Sequence, residues 1–241
     1  MHASLRDANV VIIGGTSGMG LGVARAAASA GARVFAAGRS EEHARAAREA
    51  LGETATIRTL NMGNEDAVRS FFGTLTAVDH LVVTAGDLGF GKVLETSVDK
   101  VKGLFDDRFW GTYNVVRYAA PLMPARGSVT LFSGGAAVQP FAGGSVVSAA
   151  VAAVEALARA LTLELAPIRV NVVRPGAVDT PLLRRAVPNL DELRAKMAAS
   201  VPAGRIGTSE DVAEGVIFLM SSSYVTGAVL QVDGGASLTS R

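Results

Sequence analysis

The chain has 241 residues, of which 49% are hydrophobic and 19% are charged, so one domain with a buried core is expected rather than a disordered protein. The formal net charge is +1, which lacks the basic excess of proteins that bind nucleic acid or anionic membranes. There is no cysteine, which excludes disulfides and a cysteine nucleophile. The three histidines, His2, His43 and His80, are too far apart in sequence to predict a zinc site.

The N-terminal residues show no apolar targeting segment ahead of their charges, so a cytoplasmic protein is expected. Residues 127–154 carry no charge and resemble a membrane span in length. Pro140, two glycine pairs and four serines interrupt this stretch. We therefore predict a strand, a loop and the start of a buried helix here, and no membrane contact.

Short apolar runs alternate with helical patterns in the first half of the chain. Gly31 follows the first helical pattern as a C-terminal signal, and Ser40 precedes the second as an N-cap. Strands are predicted at residues 9–13, 34–37, 56–60 and 80–83, with helices at 18–30, after Ser40 and at 65–75.

The second half continues this alternation. A long helical region covers residues 98–122, either continuous or broken near Asp106. Thr208 and Asp211 resemble a capping box that opens a helix at 212–220. The remaining predictions are strands at 128–132, 169–173 and 229–232, and a helix that buries Val151, Val154, Leu157, Ala158, Leu161 and Leu165.

Strands that alternate with helices predict right-handed βαβ units and a parallel sheet covered by helices on both faces. There is no internal repeat and no linker. The predicted fold is α/β, a doubly wound Rossmann fold of about seven strands, and residues 1–241 are expected to form a single domain.

A glycine-rich loop joins the first predicted strand to the first predicted helix. Glycines at this junction allow a tight turn, and the helix N-terminus attracts the pyrophosphate of a dinucleotide. A turn without a ligand is the alternative, but the strand-loop-helix context favours binding. The predicted contacts are Gly14, Thr16, Ser17, Gly18, Met19 and Gly20.

The end of the second strand indicates which dinucleotide binds. Dinucleotide folds often place an acidic residue here to hold the adenosine ribose, whereas this chain has Gly38, Arg39 and Ser40. A glycine leaves room for a 2′-phosphate, and an arginine can bind it through two hydrogen bonds. This pattern predicts NADP(H) rather than NAD(H), although a plain surface arginine is the alternative for Arg39.

Several further motifs resemble those of the short-chain dehydrogenase/reductase family along nearly the whole chain. The loop is similar to Thr-Gly-x-x-x-Gly-x-Gly, with Ile13 in place of the threonine, and residues 83–86 are similar to Asn-Asn-Ala-Gly, with Val83 and Thr84 in place of the two asparagines. Residues 168–171, 175–180 and 226–235 match the family closely. The resemblance implies further cofactor contacts by Asn61, Met62, Ala85, Gly86, Pro175, Gly176, Val178 and Thr180, and a dimer or tetramer.

The resemblance breaks down at the catalytic positions. The family uses an Asn, Ser, Tyr and Lys set, and alignment places these positions on Arg108, Gly134 (next to Ser133), Val147 and Val151. No other register restores them, because residues 127–154 contain no Tyr, Lys, His, Cys, Asp or Glu. An atypical member without this set is therefore predicted.

Arg108 and Ser133 are the remaining catalytic candidates. Arg108 would stabilise an oxyanion or bind a substrate carboxylate, or else it is a helix-surface residue paired with Asp106, Asp107 or another subunit. Ser133 would orient a substrate or simply end its strand. Arg174 would reach the active site or the cofactor, or else, as for Arg108, it has no role there. Asp87 is predicted to be a turn residue more readily than a cofactor contact.

Three functions fit these observations. The first is an NADP(H)-dependent oxidoreductase that transfers hydride to or from a small carbonyl, imine or activated alkene without a tyrosine acid. The second is an inactive NADP(H)-binding sensor or partner subunit of an active relative. The third, ranked last, is non-redox chemistry. Residues 182–201 are predicted to form a substrate lid or a plain amphipathic surface helix.

Overall fold

In a computed structural model, residues 5–86, 89–187 and 189–239 of the chain are described. The described part contains seven strands in one parallel sheet. The strands are β1 (Asn9–Ile13), β2 (Arg33–Gly38), β3 (Ala55–Thr59), β4 (His80–Val83), β5 (Ser128–Phe132), β6 (Arg169–Pro175) and β7 (Val229–Val232). Their order across the sheet is β3-β2-β1-β4-β5-β6-β7.

Helices connect successive strands and cover both faces of the sheet. They are α1 (Gly18–Ser29), α2 (Glu41–Leu51), α3 (Glu65–Gly73), α4 (Val98–Phe105), α5 (Gly111–Ala119), α6 (Ser145–Glu164), α7 (Pro181–Ala186), α8 (Leu190–Ser200) and α9 (Ser209–Ser221). A π-helical segment, Asp106–Trp110, joins α4 to α5. The single-domain Rossmann-type fold predicted from the sequence is confirmed.

The alternation of side chains along β1 explains the two halves of the core. Val10 and Ile12 pack on one face, with residues of α1, α2 and α9, whereas Val11 and Ile13 pack on the other, with residues of α3, α5 and α6. Both faces of the strand are buried, so its sequence is a continuous apolar run.

The order of the strands reverses between β1 and β4. The chain runs outward from β1 to β3, and then returns to place β4 on the other side of β1. Ligands of open α/β sheets bind outside the carboxyl ends of the strands at such a switch point. The loops that follow Ile13 and Val83 therefore bound the expected binding site.

Several local predictions are confirmed. Ser40 caps α2 by accepting a hydrogen bond from the His43 amide, and Thr208 and Asp211 form a reciprocal capping box at α9. The long helical region continues past Asp106. A π-helical turn at this point joins α4 to α5, so the helix is continuous but changes its hydrogen-bonding pattern.

Helix α6 is long and apolar enough to cross a membrane by length and composition alone. Seven of its residues are buried inside the domain. Val154, Ala158 and Leu161 pack in the same core cluster as β5 and β6 residues. The strand, loop and buried helix predicted for residues 127–154 are confirmed.

Candidate functional site

A cleft of about 440 Å³ opens at the carboxyl ends of β1, β2 and β4, at the switch point of the sheet. Twelve of the residues predicted to bind the cofactor line it. They are Gly14, Thr16, Ser17, Gly18, Met19, Gly20, Arg39, Ser40, Met62, Ala85, Gly86 and Thr180.

The glycine loop turns tightly around the amino end of α1. Gly14 has a φ of +91° and donates its N–H to the Ala37 carbonyl at 2.7 Å, which ties the loop to the end of β2. A Cβ on Gly20 would collide with the Gly14 carbonyl oxygen, so α1 approaches the loop as closely as its backbone allows. The Ser17 side chain makes no capping hydrogen bond to α1. The first turn of α1 thus offers backbone N–H groups to an anion in the cleft.

The end of β2 lies against this loop. A Cβ on Gly38 would collide with the Thr16 hydroxyl, so a larger side chain does not fit at this position. Arg39 follows at the mouth of the cleft with its side chain half exposed, and its Nη1 donates to Asp107 Oδ2 at 2.9 Å. Sequence reasoning missed Asp107, since 68 residues separate this pair.

Not every predicted cofactor residue lines the cleft. Asn61 is exposed, and its Oδ1 accepts a hydrogen bond from the Gly63 amide, while its neighbours Leu60 and Met62 face the cleft. Asn61 thus shapes the turn before α3.

Three of the contacts predicted at and after the end of β6 also do not line the cleft: Pro175, Gly176 and Val178. Gly176 donates its N–H to the Val232 carbonyl, next to Pro175 at the end of β6. Val178 is buried and bridges to Gly207. Only Thr180 of this stretch both lines the cleft and caps a helix, α7.

The cleft also has lining residues that the sequence did not indicate. Pro181, Leu182 and Arg185 bring α7 to its edge. The carboxylate of Asp179 accepts hydrogen bonds from Arg184 of α7 and Arg194 of α8, and these bonds hold its pKa below the usual range. The region predicted as a lid or a surface helix therefore consists of two helices, α7 and α8, and each of them donates a hydrogen bond to Asp179. The remaining lining residues were not predicted as cofactor contacts, although Gly38 was expected to leave room for a 2′-phosphate: Ile13, Gly38, Glu42, His43, Leu60, Thr84 and Asp107.

Arg108 lies at the end of β4. A Cβ on Gly86 would lie 2.9 Å from Cζ and Nη1 of Arg108, so the guanidinium group packs directly on the Gly86 backbone. The side chain is half-buried, and Gly86 itself lines the cleft. Arg108 is therefore placed beside the cleft, and its role stays a prediction. Asp87, the loop residue considered beside it, lies outside the described residues.

The positions aligned with the family's tyrosine and lysine are apolar and buried. Val147 and Val151 on α6 are each 2% exposed and pack in a small cluster with Leu104 of α4. Gly134, at the aligned serine position, faces the same cluster, because a Cβ there would meet Val151 Cγ1 at 3.8 Å. Apolar side chains therefore pack together at these aligned positions.

Ser133 and Arg174 belong to a buried ion-pair network instead of the cleft. The Ser133 hydroxyl donates to Glu155 Oε1 at 2.7 Å, and Arg174 donates to both oxygens of Glu155 at 2.8 Å. Burial alone would raise the pKa of Glu155, but the hydrogen bonds from Arg174 and Ser133 outweigh it and lower that pKa. The expectation that Arg174 reaches the active site or the cofactor is corrected by this pairing, and Ser133 is held by a carboxylate.

The comparisons with known proteins agree with this geometry. A family model described as enoyl-(acyl carrier protein) reductase matches residues 14–237. The short-chain dehydrogenase/reductase ATR9 of Stachybotrys chlorohalonatus is 33% identical, over 98% of this chain and 99% of its own. This chain belongs to the short-chain dehydrogenase/reductase family. Members of this family are oxidoreductases that use nicotinamide cofactors.

Two solved structures of the family resemble the chain closely. The MalC reductase/Diels-Alderase of Malbranchea aurantiaca is 31% identical with a TM-score of 0.91, and the match covers 97% of this chain and 98% of that one. A small-chain dehydrogenase in complex with NADPH is 32% identical with a TM-score of 0.83, covering 96% and 99%. The seven-stranded short-chain dehydrogenase/reductase fold is thus shared over almost the full length.

Proposed function

We propose that this chain is an NADP(H)-dependent oxidoreductase that transfers hydride to or from a small carbonyl, imine or activated alkene, without a tyrosine acid. The observation that carries the proposal is the end of β2. There Gly38, Arg39 and Ser40 meet the glycine loop at the mouth of the cleft, with a glycine where NAD-binding folds place a carboxylate and a guanidinium on the next residue.

The residues of the cleft fit such a cofactor. The first turn of α1 presents backbone N–H groups to a pyrophosphate, and Arg39 presents a half-exposed cation to a 2′-phosphate. Leu60 and Met62 offer an apolar surface to an adenine ring. A related small-chain dehydrogenase binds NADPH in its solved structure, which supports the choice of phosphate-bearing cofactor.

The substrate end of the site determines the kind of reaction. When bound, the nicotinamide supplies or accepts the hydride. The buried Val147 and Val151 provide no proton donor, whereas the Arg108 guanidinium on Gly86 provides positive charge for a developing oxyanion. A general acid contributes roughly 10²–10⁴ in rate, so the substrate must be electrophilic enough to react with water as the proton source.

The test is NADPH oxidation at 340 nm with a panel of carbonyls, imines and activated alkenes, with each product identified. Arg39→Ala is expected to raise the KM for NADPH about tenfold at unchanged kcat, and Arg108→Ala to lower kcat about tenfold or more. Arg45→Ala changes an exposed arginine of α2 and serves as the matched control. Turnover that is indifferent to both Arg39 and Arg108 would contradict the proposal.

An inactive NADP(H)-binding protein is the second proposal. The apolar cluster around Val147 and Val151 favours this proposal, because a sensor or a partner subunit binds the cofactor but needs no proton transfer. NADPH binding without turnover on any substrate of the panel would support it. Homo-oligomerisation, or association with a related subunit, stays a prediction that sedimentation of the purified protein would test.

A further inference from the structure

One ion pair lies at the adenosine end of the proposed cofactor site. Arg39 lies at the end of β2, and Asp107 lies in the π-helical segment between α4 and α5. Both side chains line the same cleft, and the distance between Nη1 and Oδ2 is 2.9 Å. The group proposed to bind the 2′-phosphate is thus already bound to a carboxylate.

This pair is of the kind that a phosphate displaces. The side chain of Arg39 is 52% exposed and that of Asp107 is 23% exposed. Exposed ion pairs contribute little net stability, whereas an arginine-phosphate contact is a charge-assisted and often bidentate hydrogen bond. A 2′-phosphate at Arg39 would also meet the negative charge of Asp107. Binding of that phosphate therefore favours separation of Asp107 from Arg39.

The π-helical segment connects Asp107 to the other end of the cleft. The Gly111 N–H donates to the Asp106 carbonyl, a five-residue step that gives the segment its wide turn. Arg108, the next residue after Asp107, packs on Gly86. Single π turns carry one extra residue within a helix and recur at functional sites. A movement of Asp107 is thus transmitted to Arg108 through the backbone they share.

We propose that Asp107 is a specificity-determining residue: it holds Arg39 until a 2′-phosphate displaces it, and its release shifts the π-helical segment and the adjoining Arg108. The cofactor's phosphate thereby sets the position of the group at the hydride-transfer end. This inference rests on the proposed function, and it adds a coupling between the two ends of the site.

The sole tryptophan reports on this segment. Trp110 is the last residue of the π-helical turn and is 53% exposed. Adenosine 2′,5′-bisphosphate carries the 2′-phosphate but no nicotinamide, so it does not quench tryptophan by energy transfer. We expect it to shift the emission of Trp110, whereas adenosine 5′-diphosphate at a saturating concentration leaves that emission unchanged.

Asp107→Asn tests the role of the carboxylate. The substitution removes the competitor of the phosphate, so the Kd for NADPH should fall about tenfold while the Kd for NADH changes less than about twofold. The emission shift with adenosine 2′,5′-bisphosphate should be lost, because the phosphate then displaces no carboxylate from Arg39. Asp106→Asn is the matched control, since it removes the same charge from an exposed neighbour in the same segment.

Calorimetry with adenosine 2′,5′-bisphosphate separates the possible failures. If this ligand does not bind at all, the proposed NADP(H) function fails together with the inference. If it binds but Trp110 does not respond and Asp107→Asn leaves its affinity unchanged, only the coupling is overturned. A tenfold weaker affinity for NADH in Asp107→Asn would also overturn it, because Asp107 would then hold the ribose.

Discussion

The two halves of the cleft differ in how they meet the requirements of their family. At the adenosine half, the glycine loop, the amino end of α1 and the end of β2 adopt the arrangement that a dinucleotide needs. At the other end, Val147 and Val151, which the sequence alignment places at catalytic positions, are buried outside the cleft lining, and Arg108 packs on Gly86. Cofactor binding depends mainly on backbone geometry that belongs to the fold, whereas the reaction depends on a few side chains that the fold does not need.

The polar groups between α6 and β6 illustrate this division. Glu155 and Arg174 are 8% and 14% exposed, and they neutralise each other on α6 and β6. Ser133 donates to the same carboxylate. These three residues are chemically capable of catalysis, but their hydrogen bonds join α6 to the sheet.

The largest expected effect tests whether that network is structural. Glu155→Ala leaves the partly buried Arg174 charge without its carboxylate, and it should lower the free energy of unfolding by about 3 kcal/mol, the lower end of the range for buried pairs. Urea denaturation measures the change. Glu164→Ala, at an exposed position of the same helix, is the control and should change stability by less than about 0.5 kcal/mol.

A double variant separates structural loss from catalytic loss. Replacement of both Glu155 and Arg174 by leucine removes the two charges together, so its loss of stability should be smaller than that of Glu155→Ala. A stable Glu155→Ala protein that has lost activity would instead move these residues into the reactive half.

The next effect concerns the adenosine half. Gly20→Ala places a Cβ against the Gly14 carbonyl, so the loop must shift, and the affinity for NADPH should fall by at least about 100-fold, or ~2.7 kcal/mol. Isothermal titration calorimetry measures the affinity. Gly73→Ala at the end of α3 meets nothing within 4 Å, and it should bind NADPH as the wild type does. Equal affinities in the two variants would show that the loop is not the pyrophosphate site.

A smaller effect is expected at the amino end of β4, away from the cleft. His80 begins β4 and accepts or donates a hydrogen bond at 2.8 Å to Ser128, and burial, together with Arg169 and Arg126, lowers its pKa from 6.5 to about 4. The unfolded chain therefore binds the proton first, and stability is lost as the pH falls from 6.5 to 4. We expect a loss of about 2 kcal/mol from this group between pH 6.5 and pH 4.5.

His80→Asn identifies the source of that pH dependence. The variant retains a polar side chain next to Ser128 but does not titrate, so its stability should vary less over the same pH range than that of the wild type. Affinity for NADPH should be unaffected, because His80 lies at the amino end of the strand whose carboxyl end bounds the cleft. An unchanged pH dependence would assign the effect to other groups.

Features of the chain that depend on near neighbours were predictable from the sequence. The β1 run, the Ser40 cap and the Thr208–Asp211 capping box each lie within a few residues, and local propensity and hydrogen bonding determine them. The glycine loop was predictable for the same reason. The buried face of α6 was predictable from the spacing of its apolar residues.

Features that depend on tertiary contact were not predictable. The Arg39–Asp107 pair spans 68 residues, and the Glu155–Arg174 pair joins two elements that meet only in the folded sheet. The π-helical turn has no local sequence signal that separates it from a continuous helix. Asn61 resembled a cofactor contact by its position in the sequence. In the folded chain its side chain accepts a hydrogen bond from the Gly63 amide within the local turn.

The most direct test of the account is a binding titration of the purified protein with NADPH and, in parallel, with NADH. The account predicts that NADPH binds at least about tenfold more tightly than NADH, and that Arg39→Ala removes most of this difference while Arg45→Ala retains it. Equal affinity for the two cofactors, or binding of neither, would contradict the assignment of Arg39 to the 2′-phosphate and the NADP(H)-dependent function with it.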